Sequence, residues 1–250
     1  MKPALHVANT EKKLTDTHAR SINIAIDGYA GCGKSSTARE IAKRLGYIFV
    51  DTGAMYRAVT LYFLDHNIPF DQESPKMLSA LDDIQLDFVQ PDNAPHPIIR
   101  LNGKIAEPAI REARVAAKVS EVSVHPSIRR KVVQQQQEMA RNKGVVMEGR
   151  DIGTVVMPSA ELKFFMTASP EVRAQRRQKE MLARGEAADL DSILDNLKHR
   201  DKIDSGRKVS PLKQAEDATV IDTSNISFDE QVEMVMKIAL DKIAALNASS

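Results

Sequence analysis

The run Gly28-Tyr29-Ala30-Gly31-Cys32-Gly33-Lys34-Ser35 has the spacing G-x-x-x-x-G-K-S, and it constrains the fold more than any other stretch of the chain. Such a run works only at a junction. A buried strand must lead in and a helix must lead out, so that glycines free to take positive φ turn successive N–H groups inward and, with the helix N-terminus, form an anion cradle. Both flanks are present. Ile22–Ile26 is near-continuously apolar, while Ala38, Ile41, Ala42 and Leu45 recur at helical spacing before Gly46. The eight residues, together with Ser36, are therefore expected to hold nucleotide phosphates. Lys34 would reach the β- and γ-phosphates and the Ser35 hydroxyl would ligate Mg²⁺. Cys32 meets the need for a small residue, and its expected role is packing.

The remaining pattern places this junction in an α/β fold: a P-loop NTPase with a five-stranded parallel sheet flanked by helices. Tyr47–Asp51, Val145–Glu148, Leu162–Met166 and Ala218–Asp222 join Ile22–Ile26 as apolar runs of the kind that parallel strands buried on both faces require. Ser227-Phe228-Asp229-Glu230 has capping-box form and starts a closing helix. Two segments break the alternation. Residues 70–115 carry several prolines and an Asn102-Gly103 pair between short β-like runs, which predicts a small antiparallel inserted lobe. Residues 171–213 are charged and helical in composition, with Gly185 and Gly206 as break points, and read as a lid. A single domain is thus expected over 21–250, its core being 21–69, 116–170 and 214–250. Residues 1–20 form a charged extension without an apolar signal-peptide core.

With 35 Lys+Arg against 34 Asp+Glu, the net charge is +1, and no global field favours nucleic acid or a membrane surface. An anionic ligand must be captured locally. One cysteine excludes an internal disulfide and suits a reducing, cytoplasmic setting. No heptad seam is present, so a monomer is expected.

A phosphate loop alone does not separate a GTPase switch, a motor ATPase and a small kinase. Three further stretches do. Asp51-Thr52-Gly53-Ala54-Met55-Tyr56-Arg57 and Glu148-Gly149-Arg150-Asp151-Ile152-Gly153-Thr154 resemble the two signature stretches of bacterial-type cytidylate kinases, and Arg200-Asp201-x-x-Asp204-x-x-Arg207 resembles the lid motif of that family. In order, these matches cover about residues 22–245. The resemblance implies ATP and CMP or dCMP as substrates, with Mg²⁺ as cofactor. It places Thr52, Arg57, Arg150 and Arg207 at the acceptor phosphate, where planar guanidiniums match phosphate oxygens bidentately. It places Asp151, Ser120 and Arg129 at the cytosine and Asp204 with Arg200 at the ribose. Asp51 would orient magnesium-bound water or cap a turn. Lys34, Arg150 and lid arginines would supply catalytic charge; Arg173 and Arg177 share one helical face, and the sequence leaves open which of Arg173, Arg176 and Arg177 points inward. The alternatives are a P-loop kinase for UMP, AMP or an alcohol, and an ATP-gated binding module. An alcohol acceptor needs a carboxylate base. A nucleoside monophosphate does not, being largely a dianion at neutral pH.

Overall fold

The computed structural model describes residues 21–91, 94 and 96–248. The extension 1–20 and Pro95 lie outside the described residues. The chain opens with β1 (Ile24–Gly28), α1 (Lys34–Leu45), β2 (Ile48–Asp51) and α2 (Thr52–Asp65). After the lobe come α4 (Ala113–Val122), α5 (Pro126–Met139), β6 (Val145–Gly149) and β7 (Leu162–Thr167). The lid helices α6 (Pro170–Ala183) and α7 (Leu190–Gly206) follow, and β8 (Thr219–Asp222) and α8 (Phe228–Ala248) complete the chain.

The five core strands are parallel, in the order β2-β6-β1-β7-β8. β1 at the centre is buried throughout because its neighbours cover both edges and helices cover both faces. Ile22, Ile24 and Ile26 pack toward α1 and α8, while Ala25 faces the opposite cluster with Val145, Met147 and Val156. Fully burying such a side chain stabilises the fold by about 1.5–3 kcal/mol. The first strand runs two residues beyond Ile26, since Asp27 and Gly28 still pair with their neighbours. Gly28 has φ +141°, and a Cβ there would lie 1.9 Å from the Met166 carbonyl oxygen, so no other residue fits this crossing.

The inserted lobe is antiparallel, as expected, and has three strands, β3 (Leu86–Val89), β4 (Ile98–Leu101) and β5 (Lys104–Ile105). Asn102 and Gly103 both have positive φ, as the tight turn requires. The lobe also contains α3 (Pro75–Asp82), where the proline pattern suggested only breaks. Pro75 stands in the first turn, where its missing N–H costs nothing, and Ser74 Oγ accepts from the Met77 N–H. The lid helices are linked through Gly185 at φ +72°. Their apolar cluster has four buried residues, one of them Ala30 of the phosphate loop. The lid thus rests on the loop it is expected to cover.

Candidate active site

The phosphate loop and the Asp51 and Glu148 stretches leave the sheet at the C-terminal ends of β1, β2 and β6, where open α/β sheets bind ligands, while the lid motif and Ser120 and Arg129 lie on α7, α4 and α5. The phosphate loop follows β1, and Gly31 and Gly33 have φ +79° and +91°. Gly33 caps α1, whose N-terminus therefore opens on the loop. Lys34 is buried; its Nζ donates to the Tyr29 carbonyl at 2.5 Å and lies 3.7 Å from Cys32 Sγ. Burial, with the nearby Arg150 charge, lowers its pKa. Cys32 is fully buried and donates to the Tyr29 carbonyl, as a packing role requires. The Ser36 hydroxyl turns back to the Gly33 carbonyl.

Ser35 Oγ donates to Glu148 Oε1 at 2.6 Å. Mg²⁺ keeps waters and phosphate oxygens in its shell and needs only one or two protein donors. A hydroxyl beside a carboxylate at the loop mouth is a hard-oxygen pair that fits it. Among the described residues no larger cluster of His, Cys, Asp and Glu gathers for a metal. Asp51, expected either to orient magnesium-bound water or to cap a turn, lies against Glu148 and serves as a cap. Its Oδ1 caps α2 by accepting from the Ala54 N–H, and its Oδ2 accepts from Arg57 at 2.8 Å and Arg111 at 3.2 Å. Glu148 takes the place beside Ser35 because it faces Asp51 across the β2–β6 ladder, one strand nearer the loop. Burial and the Asp51 charge push Glu148 up, with Lys34 opposing them. Burial works to raise Asp51 as well, but Arg57 and Arg111 outweigh it and hold that carboxyl below its ordinary value.

A second buried network lies past β6. Arg129 Nη2 donates to Asp151 Oδ2 at 2.6 Å, with side chains only 2% and 6% exposed, and the Arg129 guanidinium carbon lies 5.2 Å from the Tyr56 ring centre. Arg207 Nη2 stands 3.8 Å from Asp151 Oδ1 and has no hydrogen-bond partner, while its Nε donates to the Ser210 carbonyl. Arg150 Nε donates to Asp204 Oδ2 at 2.8 Å, which ties the loop after β6 to lid helix α7. Burial opposes the Asp204 charge, but Arg150 and Arg207 hold its carboxyl below the usual range. Arg200 Nε is buried without a partner, and burial together with the Arg150 charge pushes the Arg200 pKa down to about 10. The Arg57 charge is also felt there, so guanidiniums from α2, the β6 loop and the lid share one neighbourhood. Such crowding of cations, with Nε of Arg57 and Arg200 and Nη2 of Arg207 unpaired, suits a polyanionic ligand.

Other expected residues are placed less simply. Thr52 Oγ1 donates to the Glu148 carbonyl, and Ser120 is buried on α4 near the turn that carries Ser123. Of the lid arginines, Arg173 is the one buried at the phosphate loop. Its Nη1 donates to the Ala30 carbonyl, its Nη2 pairs with Asp201 at 2.8 Å, and its guanidinium covers the Tyr29 ring. Arg176 instead holds Thr223, and Arg177 pairs with Glu180 on the lid surface. Arg111, Glu148 and Tyr56 join the site without having been singled out as site residues. Glu148 and Tyr56 lie inside the quoted motifs, whereas Arg111 belongs to a short 3₁₀ turn, Ala109–Arg111, for which the lobe pattern carries no sign.

Comparison with known proteins agrees with this arrangement. Residues 24–241 match the family described as Cytidylate kinase. A cytidylate kinase of Cytophaga hutchinsonii is 49% identical over 228 residues, covering 91% of this chain and 97% of the relative. One from Bacteroides thetaiotaomicron is 47% identical over 217 residues, covering 86% and 94%. One from a Geobacillus species is 44% identical over 223 residues, covering 89% and 98%. The match runs from the strand that enters the phosphate loop into the closing helix, and the chain belongs to the cytidylate kinase family.

Proposed function

We propose that this protein transfers the γ-phosphoryl group of ATP to CMP or dCMP, giving CDP or dCDP and ADP. One observation carries the choice of acceptor: Asp151 is a buried carboxylate held between Arg129 and the partly unpaired Arg207, in the turn after β6, the strand beside the one that leads into the phosphate loop. Cytosine offers an N4 amino donor beside N3 and O2 acceptors, so a carboxylate next to a guanidinium reads it. Uracil carries an acceptor where cytosine has the amino group, and would set an oxygen against the carboxylate.

Arg57, Arg150 and Arg207 would receive the acceptor phosphate, and Arg200 with Asp204 the ribose. Ser35 and Glu148 would hold Mg²⁺, which when bound offsets negative charge on the ATP phosphate oxygens. No side chain needs to take a proton, because the attacking phosphate oxygen is already ionised. Catalysis is then positioning plus cationic stabilisation of the equatorial oxygens, supplied here by Lys34, Arg150 and Arg173. The lid excludes water, a competing acceptor. For Lys34 this requires its ammonium to leave the Tyr29 carbonyl when phosphate enters the loop. A monomer acting in the cytoplasm, without nucleic acid or membrane, completes the proposal. Among the described residues no helix is long and apolar enough to cross a membrane.

The test is incubation with ATP, Mg²⁺ and each of CMP, dCMP, UMP and AMP. CDP or dCDP should form fastest. Release of ADP with no phosphorylated acceptor would contradict transfer, and faster turnover of AMP would contradict the base reading.

A further inference from the structure

Asp27 is a buried carboxylate for which the transfer chemistry has no use. It lies on β1 directly before Gly28 and is 3% exposed. Both oxygens accept from the turn after β6: Oδ1 from the Ile152 N–H at 2.8 Å and Oδ2 from the Gly153 N–H at 2.7 Å. Those are the leading amides of a five-residue π-helical turn, Ile152–Val156, in which the Asp151 carbonyl accepts from Val155 and Val156. The leading N–H groups of a helical turn have no partner within it. A side chain from the central strand provides one, 125 residues away in sequence.

Arg150 and Asp151 stand immediately before those amides. We infer that Asp27 is a positioning residue for the acceptor site: by gripping the Ile152 and Gly153 amides it sets Arg150 and Asp151 against the strand that enters the phosphate loop. The inference rests on the phosphotransfer reading above and extends it to a group outside the quoted motifs. Three features support it. The grip needs two acceptors at once, which a carboxylate has and a carboxamide lacks, since its second atom is an NH₂ donor. Space around the grip is tight: a Cβ on Gly153 would lie 3.1 Å from Lys163 Cδ and 3.3 Å from Asp27 Oδ2. Asp27 also joins the two segments directly, since it stands on β1 just before the phosphate loop and bonds the turn that follows Asp151. Burial raises its pKa to about 6 against the pull of the two N–H groups, which shows that this placement is kept at a cost in desolvation.

The test is Asp27→Asn, which preserves shape and removes one acceptor. A misplacement approaching 1 Å at the reacting groups costs up to about 100-fold, so kcat/KM for CMP should fall about 10- to 100-fold while the ATP dissociation constant moves less than about twofold. A lower Tm with unchanged CMP kinetics, or equal losses for CMP and ATP, would overturn the inference. Gly153→Ala is the second variant, for the case in which Asp27→Asn does not fold. Its φ lies outside the positive region, so the added methyl is tolerated by the backbone but presses on the carboxylate. The same selective loss is expected; wild-type CMP kinetics would again overturn the inference. Wild-type protein with ATP and CMP is the control: absence of turnover there refutes the phosphotransfer reading itself, whereas turnover unaffected in both variants refutes only the role of Asp27.

Discussion

Replacing Asp151 with Asn is expected to raise the KM for CMP by about 10- to 100-fold and to leave the KM for ATP nearly unchanged, because a hydrogen bond to a charged group contributes about 1.5–3 kcal/mol. The side chain is 6% exposed, with Arg129 at 2.6 Å, so its charge is little screened by solvent. Asn retains one oxygen for the cytosine amino group, but its NH₂ would face either Arg129 or Arg207. Either arrangement sets a donor against a donor. Stability should fall too, since removing one partner of a buried ion pair costs about 3–5 kcal/mol when the other charge is stranded. The Asn oxygen and the Ser123 carbonyl, which also accepts from Arg129, should keep the loss toward the lower end. Steady-state kinetics with each substrate varied, together with thermal unfolding, separate the effects. Equal losses for CMP and ATP would show that Asp151 holds the fold and does not read the base.

Replacing Arg150 with Ala is expected to lower kcat by about 10³-fold, the scale on which a guanidinium stabilises a phosphoryl-transfer transition state. Arg150 is close enough to Lys34 for its charge to depress that lysine's pKa. Its Nε–Asp204 bond also ties the core to α7. The variant therefore loses a charge at the transfer point and a tether on the lid together. Arg150→Lys separates the two: an ammonium restores the charge but not the fork, so kcat should recover only in part. Full recovery would mean that charge alone matters, and an unchanged kcat in Arg150→Ala would remove Arg150 from the transfer step.

The elements that sequence reading reached are those specified locally. The central strands are legible because strands buried on both faces are apolar throughout, and the Asn102-Gly103 hairpin because both residues accept positive φ. Helix Pro75–Asp82 was hidden by the double meaning of proline, which breaks a helix from inside but starts one at its first turn. The site divides in the same way. The phosphate loop can be read from its neighbours in the chain, and the Glu148–Thr154 stretch from its likeness to a family signature. The Arg111 contact to Asp51 spans 60 residues and the Asp27 grip on Ile152 spans 125, so no local pattern encodes them. The placement of the lid arginines is likewise set by packing, which turns Arg173 onto the Tyr29 ring and Arg176 onto Thr223.

The most direct measurement is a crystal structure of the protein with CMP bound. The phosphate is expected within hydrogen-bond distance of Arg57 and Arg150, with the cytosine amino group on Asp151 and the ribose beside Arg200 and Asp204. CMP found outside this ring of guanidiniums, or the ring dispersed with its centre filled by protein side chains, would contradict the assignment of a second nucleotide opposite the phosphate loop.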